Sequence, residues 1–238
     1  MAMKNTQELL ENWIPKTELG KKVKNKEITN IDDILNNGQT ILEPEIIDTL
    51  LPDLTSELLE VGQSKGKFGG GKGSIWRQTQ KTTSEGSRTK FATFAIVGNK
   101  NGYIGASLGS AKETVPAREK AIRKAKLNII KIKRGCGSWA CNCHTPHSIP
   151  FKTEGKEGSV KVELMPAPKG TGIKAEKKIS KMISLSGIKD VHTKTYGKTA
   201  TKLNLFRACF YALKNISKVK VKDDYTKETG SVEGKIEQ

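Results

Sequence analysis

The chain predicts an α+β protein of two folded units. Three observations carry that prediction. Residues 75–107 hold β-prone segments split by short turns, and a helix with a narrow apolar stripe follows them. A Cys-rich stretch at 135–147 then interrupts the pattern. Beyond it, a second series of strand and helix signals runs to about residue 217. This divides the chain into an acidic front extension (1–60), a first unit (61–134), a Cys-rich connector (135–147), a second unit (148–217) and a charged tail (218–238).

The front is polar, with short helical signals. Asn30 is placed to cap a helix over 31–36, with Gly38 just past its end. Pro44 opens a second short helix that runs through Leu51, and Pro52 stops it. The extension is expected to pack on the body rather than to form a domain. Residues 62–73 (GQSKGKFGGGKG) read as a basic, Gly-rich insertion. Strands are expected at Ile75–Thr82 and Thr89–Val97, joined by a Ser-Glu-Gly-Ser turn. Asn99–Gly102 is a second turn and Tyr103–Ser107 a third strand. Thr114 is the expected cap of the helix that follows. Ala117, Ala121, Ile122, Ala125, Ile129 and Ile132 form its stripe. Its other face carries Arg118, Lys120, Arg123, Lys124 and Lys131.

In the second unit Val160, Val162 and Leu164 alternate as a half-buried strand. PAPKGTG (166–172) is a rigid, then flexible loop. Ile179, Met182 and Ile183 mark a short helix ended by Gly187. A strand near Asp190–Tyr196 leads to a last helix with Leu203, Phe206, Phe210 and Leu213 on one face. After Val219 the chain reads as a flexible, disordered tail. No internal repeat is visible.

Charge gives the first functional lead. The 238 residues hold 42 Lys or Arg and 25 Asp or Glu, a net +17. Residues 61–134 alone carry seventeen basic and three acidic residues, while residues 1–60 carry six and twelve. So strong a local basic field points to a polyphosphate partner, most often nucleic acid. Aromatic residues are only 5%, so the core must be mostly aliphatic and Ala, which suits small domains that lean on a partner. No apolar run is long enough to span a membrane and Met1–Gln7 has no apolar signal core, so a cytoplasmic protein with no membrane contact is expected.

The candidate RNA-binding residues follow from that field. Lys65, Lys67, Lys72, Arg77, Lys81, Arg88, Lys90 and Lys112 fall on loops and strand ends; Arg118, Arg123 and Lys124 fall on the helix. Lys and Arg neutralise phosphates and release counterions, which gives affinity with little sequence reading. A three-stranded sheet backed by a helix resembles the double-stranded-RNA-binding fold. The competing reading is a merely solvated surface, which suits an isolated helix face better than the whole window. Gly66, Gly71 and Lys72 match the spacing of a nucleotide-binding phosphate loop, but Gly73 stands where the magnesium-ligating Ser or Thr belongs.

Cys136, Cys141, Cys143 and His147 form a candidate structural zinc site. His144 is the other available imidazole, but its adjacency to Cys143 would strain one site. The irregular spacing leaves open a second reading, three small half-buried cysteines in a turn. Cys209 reads as core. No paired-carboxylate, nucleophile-elbow or Ser-His-Asp pattern stands out, so no catalytic residue is assigned and an enzyme is not expected.

FATFAIVGNKNGYIGASLGSAKE (91–113), VPAREKAIRKAKLNII (115–130), PHSIPF (146–151), VKVELMPAPKGTGI (160–173), LSGIKDV (185–191), KTYGKT (194–199) and NLFRACFYALK (204–214) occur in that order. Together they closely resemble the S-five family, the universal fifth protein of the small ribosomal subunit. The match is collinear over about 75–217. The Cys-rich segment and acidic front resemble the archaeal form, and the eukaryotic form next. The resemblance implies a first domain like a double-stranded-RNA-binding domain and a second α/β sandwich domain with a left-handed crossover. It implies a structural constituent of the small subunit, cytoplasmic, that binds ribosomal RNA near where messenger RNA enters and supports translational accuracy. The implied neighbours are the fourth, eighth and third small-subunit proteins, with messenger RNA a candidate contact. By position, Lys81–Lys90 matches the family's extended basic hairpin loop. Gly102–Lys112 and the helix 115–131 match its RNA-facing and protein-facing elements, and PAPKGTG matches the second-domain loop. Two features depart from the family pattern: the insertion 62–73, and an acid at Ser84–Glu85 where a plain basic turn is usual. The alternative is a free RNA-binding or zinc-containing RNA-processing protein.

Overall fold

The computed structural model of the chain describes residues 12–62 and 73–235. The front holds three short helices, α1 (Glu18–Lys24), α2 (Ile31–Asn36) and α3 (Pro44–Leu50), and then strand β1 (Thr55–Leu59). The first unit continues with β2 (Arg77–Thr83), β3 (Gly86–Gly98), β4 (Tyr103–Ala111), α4 (Thr114–Leu127), β5 (Ile129–Lys131) and β6 (Lys133–Arg134). The second holds β7 (Thr153–Glu157), β8 (Val160–Pro166), β9 (Ile173–Lys174), α5 (Lys177–Leu185), β10 (Val191–Tyr196) and α6 (Lys202–Lys218). The tail adds α7 (Asp223–Thr229) and β11 (Val232–Glu233).

The predicted three-stranded sheet is the centre of a larger one. β3 is long enough to pair with β2 along its first half and with β1 along its second, Thr55 opposite Gly98 through Leu59 opposite Phe94. β4 and β5 complete the antiparallel sheet. Helix α4 begins one residue earlier than a Thr114 cap requires: Glu113 is the N-cap and Thr114 the first helical residue.

α4 lies unusually close to β4, and the residue types explain why. A Cβ added to Gly105 would sit 2.1 Å from the Ala125 carbonyl oxygen, and one added to Gly109 would sit 2.4 Å from the Ala121 amide nitrogen. Glycines on the strand face alanines on the helix, so the two backbones nearly touch. The second unit repeats the device, with Gly155 of β7 against Ala208 and Ala212 of α6. The second sheet has the order β7-β8-β10-β9, antiparallel except for the β9–β10 pair, which α5 links.

The two units share one core. Phe94 and Ile96 of β3 join Val162 and Leu164 of β8 and Phe206 of α6 in a single apolar cluster. The Phe94 and Phe206 rings meet at 5.5 Å between centroids. The front builds a satellite cluster from Val23, Ile31, Ile34, Ile46 and Ile47, closed on the body by Tyr103 and Ile129.

The front therefore packs on its own basic body. Tyr103 donates its hydroxyl to Asp32 at 2.8 Å, and Lys126 pairs with Asp48 at 2.6 Å. The tail corrects the expectation of disorder over 218–238. Among its described residues, α7 is followed by β11, which pairs antiparallel with β6. The buried Arg134 guanidinium donates to the Gly234 carbonyl at 2.7 Å and to Asn101 Oδ1 at 2.8 Å. A charged segment that looks solvated in isolation is ordered here by an acceptor-seeking Arg about a hundred residues upstream.

Candidate nucleic-acid interface

The basic residues fall into place through strand register. In an antiparallel ladder directly opposed residues point to one face, and every second residue shares it. Lys81 faces Arg88, Thr79 faces Lys90, and Arg77 faces Ala92. Arg77, Lys81, Arg88 and Lys90 thus lie on one face of the β2–β3 hairpin, and all are exposed. Along β3 the same parity continues to Phe94 and Ile96, which enter the shared core. The hairpin is an arm whose inner end is anchored in the protein and whose outer end is wet.

At its tip Ser84 and Glu85 form the turn and Gly86 has φ of 116°, a left-handed conformation that glycine adopts without a Cβ clash. Arg88 is hydrogen-bonded to the Glu85 carboxylate. The acid that departs from the family pattern thus engages one of the candidate cations.

Lys112 follows Ala111, which is paired with Phe91, so it sits one step past the last rung beside Lys90. Arg118, Arg123 and Lys124 are exposed, but on the opposite side of the sheet. Helix α4 covers the face formed by Ala95 and Val97, not the face continuous with Lys90. The structure therefore separates the helix cations from the hairpin cations. Lys65, Lys67 and Lys72 lie outside the described residues.

Two grooves with cations in their walls extend the basic surface beyond the residues singled out in the sequence. One, of about 560 Å³, runs between the hairpin base and the start of α6, lined by Gly62, Trp76, Arg77, Thr201 and Lys202. The ammonium of neighbouring Lys178, with burial, holds Lys202 below the usual lysine range. Crowded cations of this kind are relieved by an anion. The other groove, of about 820 Å³, lies between the β3–β4 turn and the PAPKGTG loop, lined by Lys100, Arg134, Lys169 and Lys189. Only the Lys169 loop carried a sequence signal for this surface. Lys100 and Lys189 are isolated in sequence and become neighbours only through the packing of the two units.

Cys136, Cys141, Cys143 and His147 come together, with one ligand-type atom from each within 4.8 Å of the others. His144 points away and donates to the Glu228 carbonyl. Burial and hydrogen bonding to Cys143 push the Cys136 thiol up to about 11. Slight desolvation would raise Cys143, but donors from Thr145, Cys141 and Cys136 outweigh it and bring that thiol down to about 6. Cys209 is fully buried in α6, as expected of core.

Comparison with known proteins adds to this geometry. Residues 75–133 match the family described as ribosomal protein S5, N-terminal domain, and residues 155–229 match ribosomal protein S5, C-terminal domain. The chain belongs to the ribosomal protein S5 family. Its relatives include the small ribosomal subunit protein uS5 of Nanoarchaeum equitans, 52% identical over 227 residues, covering 95% of this chain and 97% of that protein. The uS5 proteins of Methanocaldococcus jannaschii and Staphylothermus marinus are 45% and 44% identical, over 95% and 92% of this chain and 98% and 96% of their own lengths. The S5 resemblance and the α+β class read from the sequence are borne out. The N-terminal S5 domain carries the hairpin and α4, and the C-terminal S5 domain carries the sheet and helices that anchor it. No helix among the described residues is long and apolar enough to cross a membrane.

Proposed function

We propose that this protein is a structural constituent of the small ribosomal subunit that docks on folded ribosomal RNA through the β2–β3 arm. The observation that carries the reading is the one-sided array of Arg77, Lys81, Arg88 and Lys90, exposed on a hairpin rooted in the common core. Such an arm places cations at fixed spacing against phosphates and leaves the bases unread, which suits recognition by shape. The grooves at Lys202 and at Lys100, Lys169 and Lys189 are second and third phosphate contacts of the same docking. Arg118, Arg123 and Lys124, on the far side, suit a separate RNA segment or a neighbouring protein. In this reading the fourth, eighth and third small-subunit proteins are neighbours. The arm stands near the path by which messenger RNA enters and supports decoding accuracy through rRNA geometry. The protein does no chemistry of its own and resides in the cytoplasm.

Sucrose-gradient sedimentation of tagged protein from native lysate, at moderate and high salt, tests this. Stoichiometric migration with the small subunit that survives high salt is the expected result. Protein at the top of the gradient would overturn the reading in favour of a free RNA-binding protein. Turnover or nucleotide binding by that free protein would point to an RNA-processing enzyme.

A further inference from the structure

The connector between the two S5 domains is a closed loop with its own chemistry. Cys136 follows β6 after a single residue, Gly135. The Cys141 amide donates to the Ser138 carbonyl at 3.2 Å, so the chain turns back on itself and brings Cys141 and Cys143 beside Cys136. Three thiols cannot all pair as disulfides. Cys141 and Cys143 are only half-buried, so apolar packing gives little reason for them.

We propose that Cys136, Cys141, Cys143 and His147 hold one structural zinc ion, and that this ion fastens the C-terminal segment to the junction of the two domains. Three sulfurs and one imidazole form a closed structural donor set with no position left for water or substrate. A tetrahedron with Zn–S arms of about 2.3 Å has edges of ~3.8 Å, so four atoms already within 4.8 Å need only a slight contraction to bind.

The surroundings favour a ligand role over a packing role. His147 is buried, and its Nδ1–H donates to Asp190 Oδ2 at 2.8 Å. That leaves the lone pair on Nε2, which stands 3.9 Å from Cys141 Sγ inside the cluster. A carboxylate behind a histidine is how metal-bound imidazoles are commonly oriented. Asp190 is itself fixed, because Oδ1 accepts the Gly172 amide at 2.7 Å. The Thr145 hydroxyl donates to Cys143 Sγ at 3.2 Å, an interaction that supports a thiolate. Asp190 is thus a positioning residue that links the metal loop to the PAPKGTG loop.

The cluster also seats the tail. The Cys136 amide donates to the Thr229 carbonyl at 2.8 Å, and His144 reaches the Glu228 carbonyl, so the last turn of α7 rests on the loop that the ion would close. β11 continues from there onto β6. The loop also holds out Trp139, which is 99% exposed. None of this depends on the ribosomal reading, since every ligand belongs to this chain.

The test uses the full chain purified without chelator and exposed to zinc. Mass-spectrometric metal analysis should give ~one zinc per chain, and less than about 0.2 would overturn the site. Cys209→Ser should leave the zinc content unchanged, while Cys141→Ser with Cys143→Ser should abolish it; retention by the double variant also overturns the assignment. Because that variant could misfold, wild-type protein stripped of metal and refilled with Co²⁺ provides a second readout. It should show the intense visible bands of a tetrahedral site and a sulfur-to-cobalt charge-transfer band, and their absence would count against thiolate ligation. Hydrogen exchange over residues 223–233 should rise on stripping and fall again on adding zinc. Unchanged exchange in a protein that does bind zinc would overturn the fastening role.

Discussion

Arg88 and Lys90 occupy adjacent same-face positions on β3 but are not equivalent. Arg88 is engaged by Glu85, whereas Lys90 has no acid among its described hydrogen-bond or ion-pair partners. Replacing both with Ala should weaken rRNA binding and flatten its salt dependence by roughly one to two phosphate contacts. The log–log slope of affinity against salt reads this directly, and an unchanged slope would remove both residues from the interface. Glu43 supports a different prediction. Burial alone would raise its carboxyl pKa, but amides of Thr17 and Lys16 and the Trp13 indole donate to it at 2.7–2.9 Å and hold it below the usual carboxylate range. A carboxylate with a lowered folded pKa stabilises the fold above its unfolded pKa, and loses that contribution as pH falls through the folded value. Acid titration of Trp13 fluorescence should therefore show the front loosening below about pH 4.5. Glu43→Gln should loosen it already at neutral pH and remove that step; an identical titration in the variant would refute the assignment. These single-residue features were unevenly legible. Lys81–Lys90 was visible as a basic run around a turn, but Glu43 looked like one more front acid because its donors lie some thirty residues away.

The elements that were read correctly had a local cause. α6 has Phe206, Phe210 and Leu213 at helical spacing, and β8 alternates Val160, Val162 and Leu164, so period alone identifies them. β1, β7 and α7 were missed because their sequences are polar or short and only a partner makes them structured. Thr55–Leu59 becomes a strand by completing β3, and Asp223–Thr229 becomes a helix by resting on the Cys-rich loop. The contact of α4 with β4 was also hidden, because glycine in a strand reads as weakness until the facing helix is known. Gly109→Ala puts a methyl carbon 2.4 Å from the Ala121 backbone and must push the helix off the sheet. Chemical denaturation should show a loss of ~1–3 kcal/mol or more. Wild-type stability in that variant would mean α4 can move away freely.

As a whole, the molecule is two family domains that do not have separate cores. Phe94 from the first packs on Phe206 from the second, amid aliphatic residues from both. Thermal unfolding should therefore be a single transition, and Phe206→Ala should lower stability by ~3–5 kcal/mol without splitting it. Two separated transitions in the wild-type protein would contradict the shared core. The sequence placed the domain boundary at the Cys-rich stretch but could not reveal this union, since an apolar residue does not announce which sheet it will meet. The same integration brings the front and the tail to one place. Asp32 from the front and Glu233 from the tail both lie near Lys131, at 3.8 and 3.3 Å, and Glu233 also meets Lys133 at 2.5 Å. During synthesis the lysines of β5 and β6 emerge about a hundred residues before Glu233. Until Glu233 is made, Lys131 has Asp32 and Asn36 of the front beside it while Lys133 is more open to any RNA nearby, and Glu233 then engages both. A product that ends early would be stickier toward bulk RNA than the finished protein, and retention of a 1–219 fragment on unrelated RNA would measure the difference.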